Sequence, residues 1–271
     1  MKLRRIDILK LFFLIFFSCE EVVNPELVSV APVLVIDGLM NNFSPRHNQV
    51  VLSKTAPFNS VEPNPMVTDA SVTALIDNRE VNFFEEEKGV YLPEFFGDIP
   101  ENAQIRLNVN SEGRTYLANA TMPNKLTLDS VSVEKREEDI SFDDGYYVTA
   151  HFTDIAAVDN FYMWEIYVND DFVSNENILL SNDENLDGRR VDFELPFSMS
   201  LDSLNTGDTL TLYNYSLSKA AYDYYNGLLS LTVTGSPSQA IPDNPITNIR
   251  GGGLGFFNVC QIDTVRTIVT Q

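Results

Sequence analysis

The feature that most limits what this chain can fold into is a two-residue alternation of apolar and polar side chains, repeated in short segments along its length. Ile105, Leu107 and Val109 alternate within QIRLNVN (Gln104 to Asn110), as do Val72, Ala74 and Ile76 within ASVTALID (Ala70 to Asp77). Successive side chains of a strand point to opposite faces, so this period gives one buried and one wetted face and does not suit a helix. VLVIDG (Val33 to Gly38), NQVVLSKT (Asn48 to Thr55), VNFF (Val81 to Phe84), GVYLP (Gly89 to Pro93) and RTYLANATMP (Arg114 to Pro123) bring the count to about seven runs, divided by Pro, Gly, Asn and Asp. Strands of that number and spacing predict an antiparallel sandwich over residues 31–123. The proline-rich PFNSVEPNPM (Pro57 to Met66) cannot join a hydrogen-bond ladder and is expected to be a loop.

MPNKLTLDS (Met122 to Ser130) is the expected boundary, since a proline turn closes one strand and a new alternating run opens at Leu128, Val131 and Val133. Residues 124–271 are then expected to form a second antiparallel, β-rich domain. Its strands come from LDSVSVEKR, GYYVTAHFTD, NFYMWEIYVN, RRVDFELP and DTLTLYNYSL, with a last strand running to Thr270. One segment changes period: across Ser218 to Leu231, Leu217, Ala221, Tyr224 and Leu228 recur at helical spacing, and Ser218 can cap the first turn. The predicted fold is mainly β with one amphipathic helix near 218–231.

Charge narrows the function. Lys and Arg number 18 against 39 Asp and Glu, a formal net charge of −21. An acidic disordered tail would lack the 18 Phe and 11 Tyr that offset chain entropy here. Nucleic-acid binding needs a cationic stripe to displace counterions, and there is none, so no nucleic-acid partner is expected.

Membrane attachment would have to come from elsewhere, and the N-terminus supplies it. Lys2, Arg4 and Arg5 precede the apolar run LFFLIFF (Leu11 to Phe17), which ends at Ser18-Cys19. The run is too short to span a bilayer, which takes ~20 residues, and reads as a lipoprotein signal peptide over residues 1–18. Ser18 is the small residue before cleavage and Cys19 the lipidation site. Phe16 stands where such signals usually carry Leu. Acyl chains at Cys19 would anchor the protein, with residues 19–30 as an acidic tether. Removing the leader takes away Lys2, Arg4, Arg5, Lys10 and Asp7 and leaves a formal charge of −24. Cys260 is then the remaining cysteine, unable to form an internal disulfide and expected to be buried and inert within GFFNVCQI.

The leader ending SCEE, followed by VLVIDGLM, YLANATMP, DNFYMWEIYVND, DENLDGRRVDFELP, LSKAAYDYYNGL and RGGGLGFF, resembles the Bacteroidota lipoprotein family called domain of unknown function 4249. The resemblance covers nearly all of the mature chain. It implies an outer-membrane lipoprotein with an immunoglobulin-like first domain, and Glu20-Glu21 is similar to the surface-export signal of such lipoproteins. It further implies a TonB-dependent outer-membrane receptor as partner, because genes of the family tend to lie beside such receptors. It brings no catalytic residues.

Local chemistry offers few alternatives. Asp183, Asn185, Asp187 and Glu194, with Gly188 between, fit the spacing of a calcium loop. The alternating Val191, Phe193 and Leu195 after it make a strand where that loop needs a helix, so a tight Asp-Gly turn is favoured and no metal is expected. His47 and His151 are the two histidines, and His151 is expected to be half-exposed beside Tyr147, Thr149 and Thr153 on a strand face. A Ser-His-Asp arrangement would lack the G-x-S-x-G elbow. GGGLGFF (Gly251 to Phe257) departs from the dinucleotide fingerprint because Phe256 holds its third glycine place, so no cofactor is expected. Its glycines instead suit positive φ or close backbone approach. Tyr222, Tyr225, Phe256 and Phe257 are the candidates for an interaction surface, against a core role for most such aromatics. The expected function is that of a non-enzymatic, surface-exposed accessory lipoprotein of a TonB-dependent transporter or related complex. A surface glycan- or peptide-binding lipoprotein and an uncharacterised hydrolase are the alternatives.

Overall fold

The computed structural model describes residues 31–270 except 44–47, 58–59, 61, 95–97, 138–143, 174–177, 185, 200–203 and 233–243. The leader, Cys19, the tether, His47 and Asn185 lie outside the described residues. Among those described, the protein is mainly β, with sixteen strands and one helix. The first seven are β1 (Leu34–Asn41), β2 (Gln49–Lys54), β3 (Ser71–Ile76), β4 (Arg79–Glu87), β5 (Val90–Pro93), β6 (Gln104–Ser111) and β7 (Arg114–Thr121). Their alternation becomes burial: in β6, Ile105, Leu107 and Val109 are buried while Gln104, Arg106 and Asn110 are exposed. β6 and β7 are joined by Glu112-Gly113, both at positive φ (50° and 75°), the turn geometry whose twist matches that of paired strands.

β1, β2, β5, β4, β3, β6 and β7 hydrogen-bond in that order, each pair antiparallel. Ile36, Val50, Leu52, Ala74, Leu107 and Val109 meet in one core at 1% exposure or less. Each larger aliphatic buried this way stabilises by roughly 1.5–3 kcal/mol.

A bulge in β4 between Glu85 and Glu87 turns the Glu85 carboxylate toward backbone donors. It accepts the Gly89 N–H at 2.9 Å, the Asp69 N–H at 3.1 Å and the Tyr91 hydroxyl at 3.3 Å. The two backbone bonds, Gly89 first, hold its pKa below the ordinary value of 4.5. A depressed folded pKa stabilises above the unfolded value, and that contribution is lost as pH falls through the folded one. Glu85→Gln is therefore expected to be less stable than the parent at pH 6, with the urea midpoints converging as the pH falls well below 4.5. A constant gap down to the acid limit would contradict the assignment.

The second half contains β8 (Leu128–Arg136), β9 (Gly145–Thr153), β10 (Phe161–Val168), β11 (Asp171–Phe172), β12 (Leu179–Asn182), β13 (Arg190–Met199) and β14 (Thr209–Leu217). Helix α1 (Lys219–Thr232), β15 (Ile249–Arg250) and β16 (Leu254–Ile268) follow. β13, β9 and β8 form a separate three-stranded sheet, while β10, β14 and β16 continue the large one. Between them lies a second core of Val148, Ala150, Phe152, Tyr162, Trp164, Ile166 and Leu212. Trp164 is 1% exposed. It stacks on Phe193 at 5.7 Å, meets Phe152 and Tyr162 at 6.0 Å each, and donates its indole N–H to Ser181 Oγ at 2.8 Å.

The segment between the cores is fastened to the sheet. The Leu126 N–H donates to Ser216 Oγ at 3.0 Å and the Leu128 N–H to Asp263 Oδ2 at 2.8 Å, while Lys125 pairs with Asp263 Oδ1 at 2.8 Å. β14 and β16 thus hold the stretch in which the boundary was expected.

β16 joins the two halves. Leu254 to Cys260 pair with β1 and Gln261 to Ile268 with β14. The β1 pairing is parallel, a departure from the all-antiparallel expectation that no local pattern announces. Phe257 and Val259, with Ile249 of β15, belong to the first core although they follow residue 124, and Val269 closes the second. Asn248 stands in for a neighbouring strand: its Oδ1 accepts the Phe257 N–H and its Nδ2 donates to the Phe257 carbonyl, both at 2.9 Å. Gly255 has φ +91°, and a Cβ there would overlap the Ile36 carbonyl of β1. This is the close backbone approach expected of the glycine run.

Candidate interaction site

In β10 the alternation that buries Tyr162, Trp164, Ile166 and Val168 puts Phe161, Met163, Glu165 and Tyr167 on the other face, each half-buried. Tyr213 and Tyr215 of β14 and Cys260 and Ile262 of β16 pack on that face, with Tyr213 directly across from Glu165. Helix α1 covers one end. It starts where the Ala221 N–H donates to Ser218 Oγ at 3.2 Å, and Lys219 pairs with Asp223 one turn on. Ala221 is fully buried, Tyr222 packs on Phe161 at 5.1 Å, and Tyr224 stacks on Phe256 at 4.7 Å.

Beyond the helix, rings continue across the face. Phe43 meets Tyr213 edge-on at 5.7 Å, Tyr213 meets Tyr167 at 5.1 Å, and Tyr167 meets Phe172 at 5.2 Å. The two end rings are 42% and 41% exposed. Glu165 lies among them. Its Oε2 accepts the Tyr215 hydroxyl at 2.6 Å and the Tyr167 hydroxyl at 3.2 Å. Burial, then the Glu165 charge, pushes Tyr167 up to about 12 and Tyr215 up as well, so both remain protonated donors at neutral pH. Among the described residues no ion pair reaches Glu165; Arg266 approaches Asp170 instead, at 3.9 Å. The adjacent Cys260 thiol is buried, and burial, then Glu165, raises its pKa, which keeps it from acting as a thiolate.

The aromatic candidates divide. Tyr222 and Tyr225 are half-buried, and the Tyr225 hydroxyl accepts from Asn258 Nδ2 at 3.4 Å. Phe256 and Phe257 are 5% and 0% exposed, so GGGLGFF presents no aromatic ridge. Phe257 lies over Gly38, its parallel-strand partner, where a Cβ would come within 2.8 Å of the ring.

The calcium candidates among the described residues, Asp183, Asp187 and Glu194, are engaged by separate partners. Asp183 accepts from Asn160 Nδ2 at 3.1 Å, Asp187 accepts the Ala157 N–H at 2.6 Å, and Glu194 takes both ends of the Arg136 guanidinium at 3.2 and 2.7 Å. Among the described residues no group of three or more His, Cys, Asp or Glu is placed to hold a metal.

His151 is 22% exposed at its side chain and lies between partners that the sequence did not suggest. Its Nε2 is 2.8 Å from Ser132 Oγ and its Nδ1 is 2.7 Å from Asp192 Oδ1. The hydrogen bond from His151 holds the Asp192 pKa below its ordinary value. The order matches a nucleophile–base–acid relay. However, Ser132 and Asp192 are exposed in mid-strand on β8 and β13, where water competes with any substrate. Glu165 was also missed. Its signal in NFYMWEIYVN is a lone carboxylate on the strand face opposite Trp164.

A family model described as Domain of unknown function (DUF4249) matches residues 20–266. No curated protein and no solved structure matches the chain.

Proposed function

The chain belongs to the DUF4249 family, and from that premise we propose that it is a non-enzymatic, lipid-anchored outer-membrane protein of a Bacteroidota bacterium. It serves as the accessory subunit of a TonB-dependent transporter or a related outer-membrane complex. The observation that carries the reading is the position of the family match, which begins at Glu20, immediately after Cys19 and the apolar run LFFLIFFS. A match that starts one residue after Cys19 supports a mature form that starts at that cysteine. The half-buried aromatic face around Glu165 supports a binding role, because rings that are partly wet in the free protein gain burial when a partner covers them.

The test is co-purification of the tagged full-length protein from a mild detergent extract, beside Cys19→Ser. The parent is expected in the membrane fraction together with an outer-membrane barrel protein, and the variant in the soluble fraction. Recovery of the parent without a barrel would remove the partner assignment.

A further inference from the structure

We propose that the Glu165 face is a cation-recognition site whose occupant is an arginine side chain presented by a partner protein. The inference rests on the reading of the chain as a partner-binding subunit and gives the chemistry of the contact. Three observations carry it. Glu165 is half-buried, yet no ion pair reaches it among the described residues. Among the described residues both hydroxyl contacts to Glu165, from Tyr167 and Tyr215, fall on Oε2 and none falls on Oε1. Around the carboxylate stand Tyr167, Tyr213 and Tyr215, with Phe43 and Phe172 exposed at the rim.

A carboxylate taken partly out of water without a counter-charge is costly, and a cation relieves that cost. Aromatic faces attract the same cation through their quadrupoles. A guanidinium satisfies both at once, because its plane can stack on tyrosine while an N–H donates to Oε1. The formal charge of −21 on the whole chain favours approach of a basic partner surface. The tyrosine hydroxyls fix the carboxylate before any partner arrives, so little ordering remains to be done on binding.

Titration of the full-length protein in detergent with Nα-acetyl-arginine amide tests this, read on the ring NMR signals of Tyr167, Tyr213 and Tyr215. A saturable shift is expected, with none from uncharged Nα-acetyl-norleucine amide. Glu165→Gln should weaken it by about tenfold and Tyr213→Leu by a few-fold. Glu165→Gln keeps an oxygen for the tyrosine hydroxyls, and an unchanged melting temperature shows that it folds. If it does not fold, Tyr213→Leu decides. Absence of a saturable arginine shift, or an undiminished shift in the folded variants, overturns the proposal. Loss of the barrel from the co-purification overturns the partner reading whatever the arginine titration gives, so the two failures are distinguishable.

Discussion

Gly255→Ala is expected to destabilise the protein by about 3–5 kcal/mol, a sum of backbone strain at positive φ and overpacking. The position has φ +91°, which a side chain rarely adopts, and the new methyl would overlap the Ile36 carbonyl. The obstacle is backbone, so no rotamer change relieves it. β1 and β16 would have to separate at the second pair, Ile36 with Gly255, of a seven-pair parallel register. Gly252→Ala is the control: its φ is +85°, but nothing lies within 4 Å of the added carbon, so it carries the conformational strain alone, roughly 1 kcal/mol. Urea unfolding followed by far-UV circular dichroism measures both. Equal losses would mean that close approach at Ile36 contributes nothing.

Trp164→Ala is expected to cost ~3–5 kcal/mol, roughly 10 °C in Tm for a body of this size. Trp164 touches three other rings of the second core and donates to Ser181, so the truncation leaves both a cavity and a half-buried hydroxyl without its donor. It is also the chain's one tryptophan. In the parent its emission therefore reports the second core alone, while circular dichroism reports both cores. Because β16 belongs to both, the two signals should change at the same urea concentration, and Gly255→Ala should shift them together. A tryptophan transition left in place by Gly255→Ala would show that the cores unfold independently.

Local order was legible and distant order was not. The strand faces of Ile105, Leu107 and Val109 follow from a period of two, and α1 with its Ser218 cap follows from a change of period. β11 and β15 have two residues each, too few for any period to show. The parallel pairing of Val35 with Leu254 joins residues with nearly the whole chain between them. The same limit hid the site. His151 stands 19 residues from Ser132 and 41 from Asp192, and Glu165 stands 50 from Tyr215, so strand order alone brings them together. Phe256 and Phe257 stand beside a glycine run, which leaves a contact surface and a core place equally compatible with their local sequence. The glycines instead allow β16 to lie close against β1.

The position of β16 also sets an order in time. A chain made from its N-terminus delivers Leu254 to Ile268 after every other described strand, yet Phe257 and Val259 complete the first core and Val269 the second. Until that stretch arrives, β1 lacks one neighbour, β14 lacks another, and neither core is closed. The hairpins can form early on microsecond scales, but the contact that commits the molecule closes a loop of more than two hundred residues and is slow for that reason. A polypeptide built this way keeps both cores unlocked until its other described strands have all been made, so its hairpins must wait on one late strand to become a single cooperative body.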